Sequence, residues 1–391
     1  MNATQQFFIS VLRAYILNDV TLDASDVDWQ AFNRLCQIHN VGGMAYVALK
    51  KAGVVVPPAE KKCLEKSYFA SICYSIRQTE AYKTVSEALE QNGIPYIPIK
   101  GLLLKALYPN PELRTMGDMD IMVHDEDRPQ CHQIMTKLGY TRLAHQFEWL
   151  YEKDQIEFEF HSAFKSAYGT IIGQTDIWNH AENIGSSNRF EFDPQYHLVF
   201  LISHAAKHAF AGFGIRMIMD ISLWLRLYRS DINIEKLMQD LSYLRILEFA
   251  QRVFSLCERM FGIDSPLDDY HMSGSIYDEM CIYIIESGTF GKNNRGFTGV
   301  DQVLVREYLK NNSVVKSKLT VLISTVFLSY SAALKRYKYI ENRPFLLPIA
   351  WIQRGISVIF KHPERLTAHL KGVCGFKNAK ERRKKLRDFG L

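Results

Sequence analysis

The chain has 391 residues, of which 47% are hydrophobic, 12% aromatic and 23% charged, and it carries a formal net charge of +5. That length exceeds one ordinary core, so two or three structural units are expected, and the composition excludes a disordered or fibrous chain. A charge this modest excludes a strongly basic, nucleic-acid-coating protein.

Residues 1 to about 92 read as helical. Phe7, Phe8, Val11, Leu12, Tyr15 and Ile16 recur at helical spacing, as do Phe32, Leu35 and Ile38 before His39-Asn40. A long helical pattern from Lys61 stops at Asn92-Gly93. Arg13 and Asp19 interrupt the first pattern, and no basic segment precedes an apolar core, so no signal peptide is expected. This region, 1–92, carries no evident chemistry and is expected to cap the unit that follows.

The chemistry concentrates in Ile94–Val123. A short apolar run, Tyr96–Ile99, ends at Lys100-Gly101, and a compact helical pattern follows in Leu102, Leu103, Leu104 and Leu107. Then come the breaker Pro109-Asn110-Pro111, a lone Arg114, and a second strand-like run with Asp118 and Asp120. Strand side chains alternate, so the two aspartates share a face while Met119 and Ile121 point inward. Two adjacent carboxylates repel unless a divalent cation lies between them, and Mg²⁺ takes one or two carboxylates together with phosphate oxygens. A glycine opening a helix after a strand offers backbone N–H groups to a phosphate.

Further on, Glu126–Leu138 reads as a helix capped by Gly139, and Tyr140–Leu143 and Phe147–Tyr151 as a strand pair. Ile156-Glu157-Phe158-Glu159-Phe160-His161 is the cleanest alternation in the chain, with Glu157, Glu159 and His161 on one face. An antiparallel sheet that set this face beside Asp118 and Asp120 would complete a three-carboxylate metal site.

Lys100-Gly101, Leu107-Tyr108, Arg114 and Asp118-Met119-Asp120 resemble the uncharacterised nucleotidyltransferase family of the DNA polymerase β-like superfamily. The resemblance covers about 94–165 well and extends loosely through the helices holding His204 to Asp220. It implies an α+β fold: a small mixed or antiparallel nucleotidyltransferase sheet with helices, flanked by N- and C-terminal helical regions. The pattern along the chain places a core at 93–193, between the helical region 1–92 and a helical region 194–391 with a basic tail. The implied activity is transfer of a nucleoside monophosphate from a nucleoside triphosphate, such as ATP, to an unidentified small-molecule, peptide or protein acceptor. Mg²⁺ (or Mn²⁺) would be held by Asp118, Asp120 and a third acid. The resemblance favours Glu159 for that acid, two positions before a histidine, with Glu157 the runner-up. Leu102 stands where the superfamily commonly has Gly or Ser after the glycine, so that hydroxyl contact to phosphate is missing.

From Pro194 the pattern is helical again. His204, Lys207 and His208 lie in one helix, and Arg216 and Asp220 in the next. His204 and His208 stand four apart, but Ala205 replaces the glutamate of a metalloprotease motif, so zinc is disfavoured. With Lys100, Gly101 and Arg114, the residues His204, Lys207, His208 and Arg216 are candidate nucleotide-binding groups. The alternative is core histidines and an Arg216–Asp220 pair supporting its own helix.

The segment 288–299, with four glycines, Lys292 and Arg295, reads as a surface connection or a closing loop. Leu319–Leu334 has sixteen uncharged residues, short of the roughly 20 that span a bilayer, and reads as a buried helix. Leu346–Phe360 reads as another. From Lys371 to Leu391 there are eight basic and two acidic residues, a balance of 8 − 2 = +6. Without interleaved aromatics this tail reads first as a solvated, frayed end. Nucleic acid is not an expected partner, and peripheral membrane contact through the tail is open but not favoured. Seven cysteines, scattered singly with no CxxC, suit reduced thiols in a cytoplasmic setting. A catalytically silent nucleotide-binding sensor or scaffold is the competing reading of the same cleft.

Overall fold

The computed structural model describes residues 1–18, 21–143, 149–168, 171–172, 174–267, 270 and 272–289. Past these it describes 307, 316, 320, 327–328, 330, 333, 337–341, 343–361 and 376–391. The chain folds as two compact units, Met1–Asn293 with Gly390, and Asn294–Phe389 with Leu391.

The first unit begins with four helices, α1 (Ala3–Leu17), α2 (Trp29–His39), α3 (Gly42–Lys51) and α4 (Pro58–Gln91). Their ends are chemically specified. Asn2 and Gln5 cap α1 reciprocally, Asp28 accepts the Ala31 amide at 3.0 Å to start α2, and Pro58 opens α4 where its missing N–H costs nothing. Asn18 and Asn40 end α1 and α2 in the left-handed conformation that asparagine tolerates. At 34 residues α4 is about 50 Å long, enough to underlie the whole sheet that follows.

That sheet is built from β1 (Tyr96–Pro98), then, after the short helix α5 (Gly101–Leu104), β2 (Asp118–Val123). Helix α6 (Arg128–Lys137) leads to β3 (Thr141–Arg142), β4 (Trp149–Lys153) and β5 (Ile156–His161). The order is β1-β2-β5-β4-β3. The pairing of β2 with β5 is parallel, not antiparallel as the sequence suggested, because α6 and the β3–β4 hairpin form a crossover that returns the chain in the same direction. The other pairings are antiparallel, so the sheet is mixed. Register still matches Asp118 with Glu157 and Asp120 with Glu159.

Alternation fixes that register. Met119, Ile121, Val123, Phe158 and Phe160 are fully buried in one cluster with Val85 and Leu89 of α4 and Cys131 and Met135 of α6. Each buried aromatic contributes about 2 kcal/mol, and a one-residue slip would drive Glu157 and Glu159 into this core. The opposite sheet face is thereby committed to the acids.

Two small hairpins follow, β6 (Phe164–Lys165) with β7 (Ile171–Ile172) and, after α7 (Gln174–Asn179), β8 (Ala181–Asn183) with β9 (Phe190–Phe192). Then come α8 (Pro194–Ala209), α9 (Ile215–Tyr228), α10 (Ile234–Tyr243), α11 (Leu247–Phe261) and α12 (Gly274–Ser287). Asp193 caps α8 by accepting the Tyr196 amide at 2.8 Å, with Pro194 in the first turn.

In the second unit, Leu347–Lys361 is helical, and Ala333, Ile340 and Ala350 form a small buried cluster. The basic tail is not a frayed end over its described length. Phe376–Asp388 is a helix, and Leu386 and Phe389 are fully buried, an apolar pair three residues apart that anchors an otherwise charged segment. The loop residues 290–299, with Lys292 and Arg295, and most of Leu319–Leu334 lie outside the described residues. Among the described residues no helix is long and apolar enough to cross a membrane.

Candidate active site

The acidic face of β2 and β5 gathers three ligand-type side chains. Asp120, Glu159 and His161 place one ligand atom each within 4.8 Å of one another, so this trio can hold a metal ion. His161 Nε2 lies 2.7 Å from Asp120 Oδ1 and 3.5 Å from Glu159 Oε2. Lys100 Nζ reaches the same Asp120 oxygen at 2.5 Å. Burial would raise the Asp120 carboxyl, but the Lys100 ammonium and the His161 hydrogen bond outweigh it and hold the group down at about 2. Asp118, half-buried beside it, is pushed upward by burial and by the Asp120 charge. Neighbouring carboxyls displaced in opposite directions are common where a site carries function.

The donor set suits a divalent ion. The carboxylates of Asp120 and Glu159, with that of Asp118 two residues along the strand, offer hard oxygens suited to Mg²⁺ or Mn²⁺, and His161 adds a nitrogen. Glu157 lies level with Asp118 across the β2–β5 pair, one step from the trio.

The turn that carries Lys100 is tightly packed. A Cβ on Gly101 would come within 2.8 Å of Met116 Sδ, 2.9 Å of Met116 Cβ and 3.0 Å of Arg114 Nη1. Glycine is therefore required by close approach. The unusual backbone belongs to Lys100, at φ 54° and ψ −124°.

A second buried cluster adjoins this turn. Arg114 grips Asp220 with both arms, Nε to Oδ1 at 3.2 Å and Nη2 to Oδ2 at 2.5 Å, and the Tyr108 hydroxyl donates to Oδ1 at 2.7 Å. Arg216 does not pair with Asp220 along its own helix. Its Nη1 donates to the Thr115 carbonyl and, at 2.8 Å, to Thr115 Oγ1. Burial and the neighbouring Arg114 lower the Arg216 guanidinium to about 10. Arg114, expected to face phosphate, is thus committed in both arms to a carboxylate 106 residues away.

Helix α8 supplies the remaining candidates. His204 and His208 rings are 4.4 Å apart, and both are pushed down, His208 to about 4. Burial is the main cause. The charges that act on them are those of the site: Lys100 and Lys207 on both, His161 on His204, and Asp120 on His208. At neutral pH both rings are uncharged, able to donate and accept one hydrogen bond each.

Sequence reading left out His161, Tyr108 and Asp220 as site residues. His161 was legible, since it shares the alternating face of Glu157 and Glu159. The Arg114–Asp220 pairing has no sequence signal, because it joins segments 106 residues apart.

A mixed sheet with an acid pair on one strand, a facing acid on its neighbour and a strand–glycine–helix turn beside them is the α+β nucleotidyltransferase architecture. The family model described as uncharacterised nucleotidyltransferase matches residues 25–262, and the chain belongs to that family of transferases. No curated protein and no solved structure gives a match.

Proposed function

We propose that this protein transfers a nucleoside monophosphate from a nucleoside triphosphate to an acceptor that is a small molecule, a peptide or a protein. The observation that carries this reading is the contact of two unbalanced charge clusters at Lys100-Gly101. On one side the carboxylates Asp118, Asp120 and Glu159 gather around the Lys100 ammonium. On the other, two guanidiniums, Arg114 and Arg216, meet one carboxylate. A surplus of negative charge beside a surplus of positive charge complements a metal-bound triphosphate.

Asp118, Asp120 and Glu159, with His161, would hold Mg²⁺ or Mn²⁺. The bound ion would supply charge neutralisation for the attacking and departing oxygens. In the transfer, an acceptor oxygen or nitrogen bonds to the α-phosphorus, the bond to the bridging oxygen breaks, and pyrophosphate leaves with that electron pair. Glu159, less buried than Asp120, takes the acceptor's proton. Arg216 neutralises phosphate oxygens, and Arg114 braces the turn whose Gly101 and Leu102 amides face the leaving phosphates. His204, Lys207 and His208 line the opposite wall and contact the base or the acceptor.

The core at 93–193 carries the chemistry, between segments 1–92 and 194–391 of the sequence. Six free cysteines among the described residues fit a reducing, cytoplasmic setting. One observation favours the sensor reading instead: Asp120 and Arg114 are each already paired within the chain.

Calorimetric titration of ATP, GTP, CTP and UTP with Mg²⁺ separates the two, run on wild type and on Asp118→Ala/Asp120→Ala. Metal-dependent binding of one nucleotide, lost in the double variant, followed by transfer of its label to an acceptor, is expected. Binding that survives the double variant would move the site off β2.

A further inference from the structure

Lys100 occupies a backbone region, φ 54° and ψ −124°, that residues with a Cβ seldom adopt. The glycine of this turn stands one position later, at a conformation that does not need it, and serves packing instead. If only the turn mattered, glycine at position 100 would be the relaxed solution. A lysine kept there against its backbone preference points to a task for its side chain. That side chain reaches Asp120 Oδ1 at 2.5 Å, the oxygen that His161 Nε2 also meets at 2.7 Å. Asp120 is the most buried acid of the trio, at 3% side-chain exposure against 14% for Glu159. An ammonium on that oxygen opposes a divalent ion there, since two cations so close repel strongly in a dry site.

We propose that Lys100 is the resident counter-ion of the metal site, and that it leaves Asp120 for the phosphates of a nucleoside triphosphate as the metal enters. This rests on the nucleotidyltransferase reading of the site. The lysine stands at the junction of the acid cluster and the guanidinium pair, so a rotation of its own side chain carries it from one partner to the other. Metal and triphosphate then load together, each releasing the lysine for the other, and by linkage the coupling is the same in both directions.

The test is Mn²⁺ binding without nucleotide, followed by electron paramagnetic resonance of the free ion. Lys100→Met is expected to bind Mn²⁺ at least about tenfold more tightly than wild type, by analogy with the effect of groups that contact metal ligands. Lys100→Gly, which also relaxes the backbone, should show the same gain, and Lys100→Arg should stay as weak as wild type. Introducing Asp120→Asn into Lys100→Met should abolish the gain. Thermal unfolding of each variant checks that it is folded, and the glycine variant stands in if the methionine variant is not. Equal or weaker Mn²⁺ binding in both charge-removing variants overturns the proposal. If that occurs while Asp120→Asn still weakens Mn²⁺ binding, the lysine role alone fails. Mn²⁺ binding untouched by Asp120→Asn removes the metal site itself.

Discussion

The two charge clusters on either side of Lys100-Gly101 are built from the same elements of chemistry and do opposite things. Around Asp220 both carboxylate oxygens are satisfied: Arg114 takes the two of them, Tyr108 adds a bond to one, and Arg216 Nη1 is turned onto Thr115. Around Asp120, carboxylates crowd one another, and Lys100 and His161 converge on one of its oxygens. The first arrangement ties α9 to the segment before β2 and keeps the turn in place. The second is poor structural chemistry that becomes good chemistry with a cation. The difference teaches that burial and charge do not by themselves mark a site; the state of satisfaction does.

Breaking the comparison at its two centres should therefore give opposite phenotypes. Asp220→Ala leaves a buried guanidinium without its carboxylate and should cost about 3–5 kcal/mol of unfolding free energy, read from denaturant titration. Asp120→Asn removes one of several crowded acids, and Lys100 keeps Asp118 and Glu159 as neighbours. Its stability should fall by less than that of Asp220→Ala, by about 1–3 kcal/mol, because the ionised carboxylate is favoured by Lys100 and His161, while metal-dependent nucleotide binding falls at least about 100-fold. Equal stability losses in the two variants would erase the distinction.

Gly101→Ala acts on the seam between the clusters. Met116 Cβ cannot swing away from the added methyl, so the cost should be about 1–3 kcal/mol, with a loss of nucleotide binding as the turn shifts.

The pH dependence separates the buried histidines from the acids. Burial is the main cause that lowers His39 and His208 to about 4 and His197 to about 3. The unfolded chain takes up these protons first, near pH 6.5, and the folded protein resists them. Stability is whole above about pH 6.5 and falls as pH drops toward about 4. Each group contributes on the order of 1–3 kcal/mol to that fall. His208→Gln should flatten the pH profile of the unfolding midpoint without moving its value at pH 8.

The smallest effect is expected from Tyr108→Phe, about 1 kcal/mol, since Asp220 keeps both bonds from Arg114. A cost as large as that of Asp220→Ala would show that the tyrosine, not the arginine, holds the hub.

Local order fixed most of the site's strands. Alternation over Ile156–His161 and the Asp118–Asp120 spacing determine that the acids share one face, because side chains on a strand alternate and the apolar partners must be buried. Asn92-Gly93, the helical start at Pro194 and the helical spacing of α1, α4, α8 and α9 were legible for the same reason: stop signals and periodicity are properties of neighbouring residues. Tertiary structure alone decided the rest. It set β5 parallel to β2 through a crossover, gave Arg114 to Asp220 in place of Arg216, and laid Lys100 onto Asp120. Each of these joins residues 20 or more positions apart, where the partner is chosen by which segments the packed core brings together and not by any local preference of the chain.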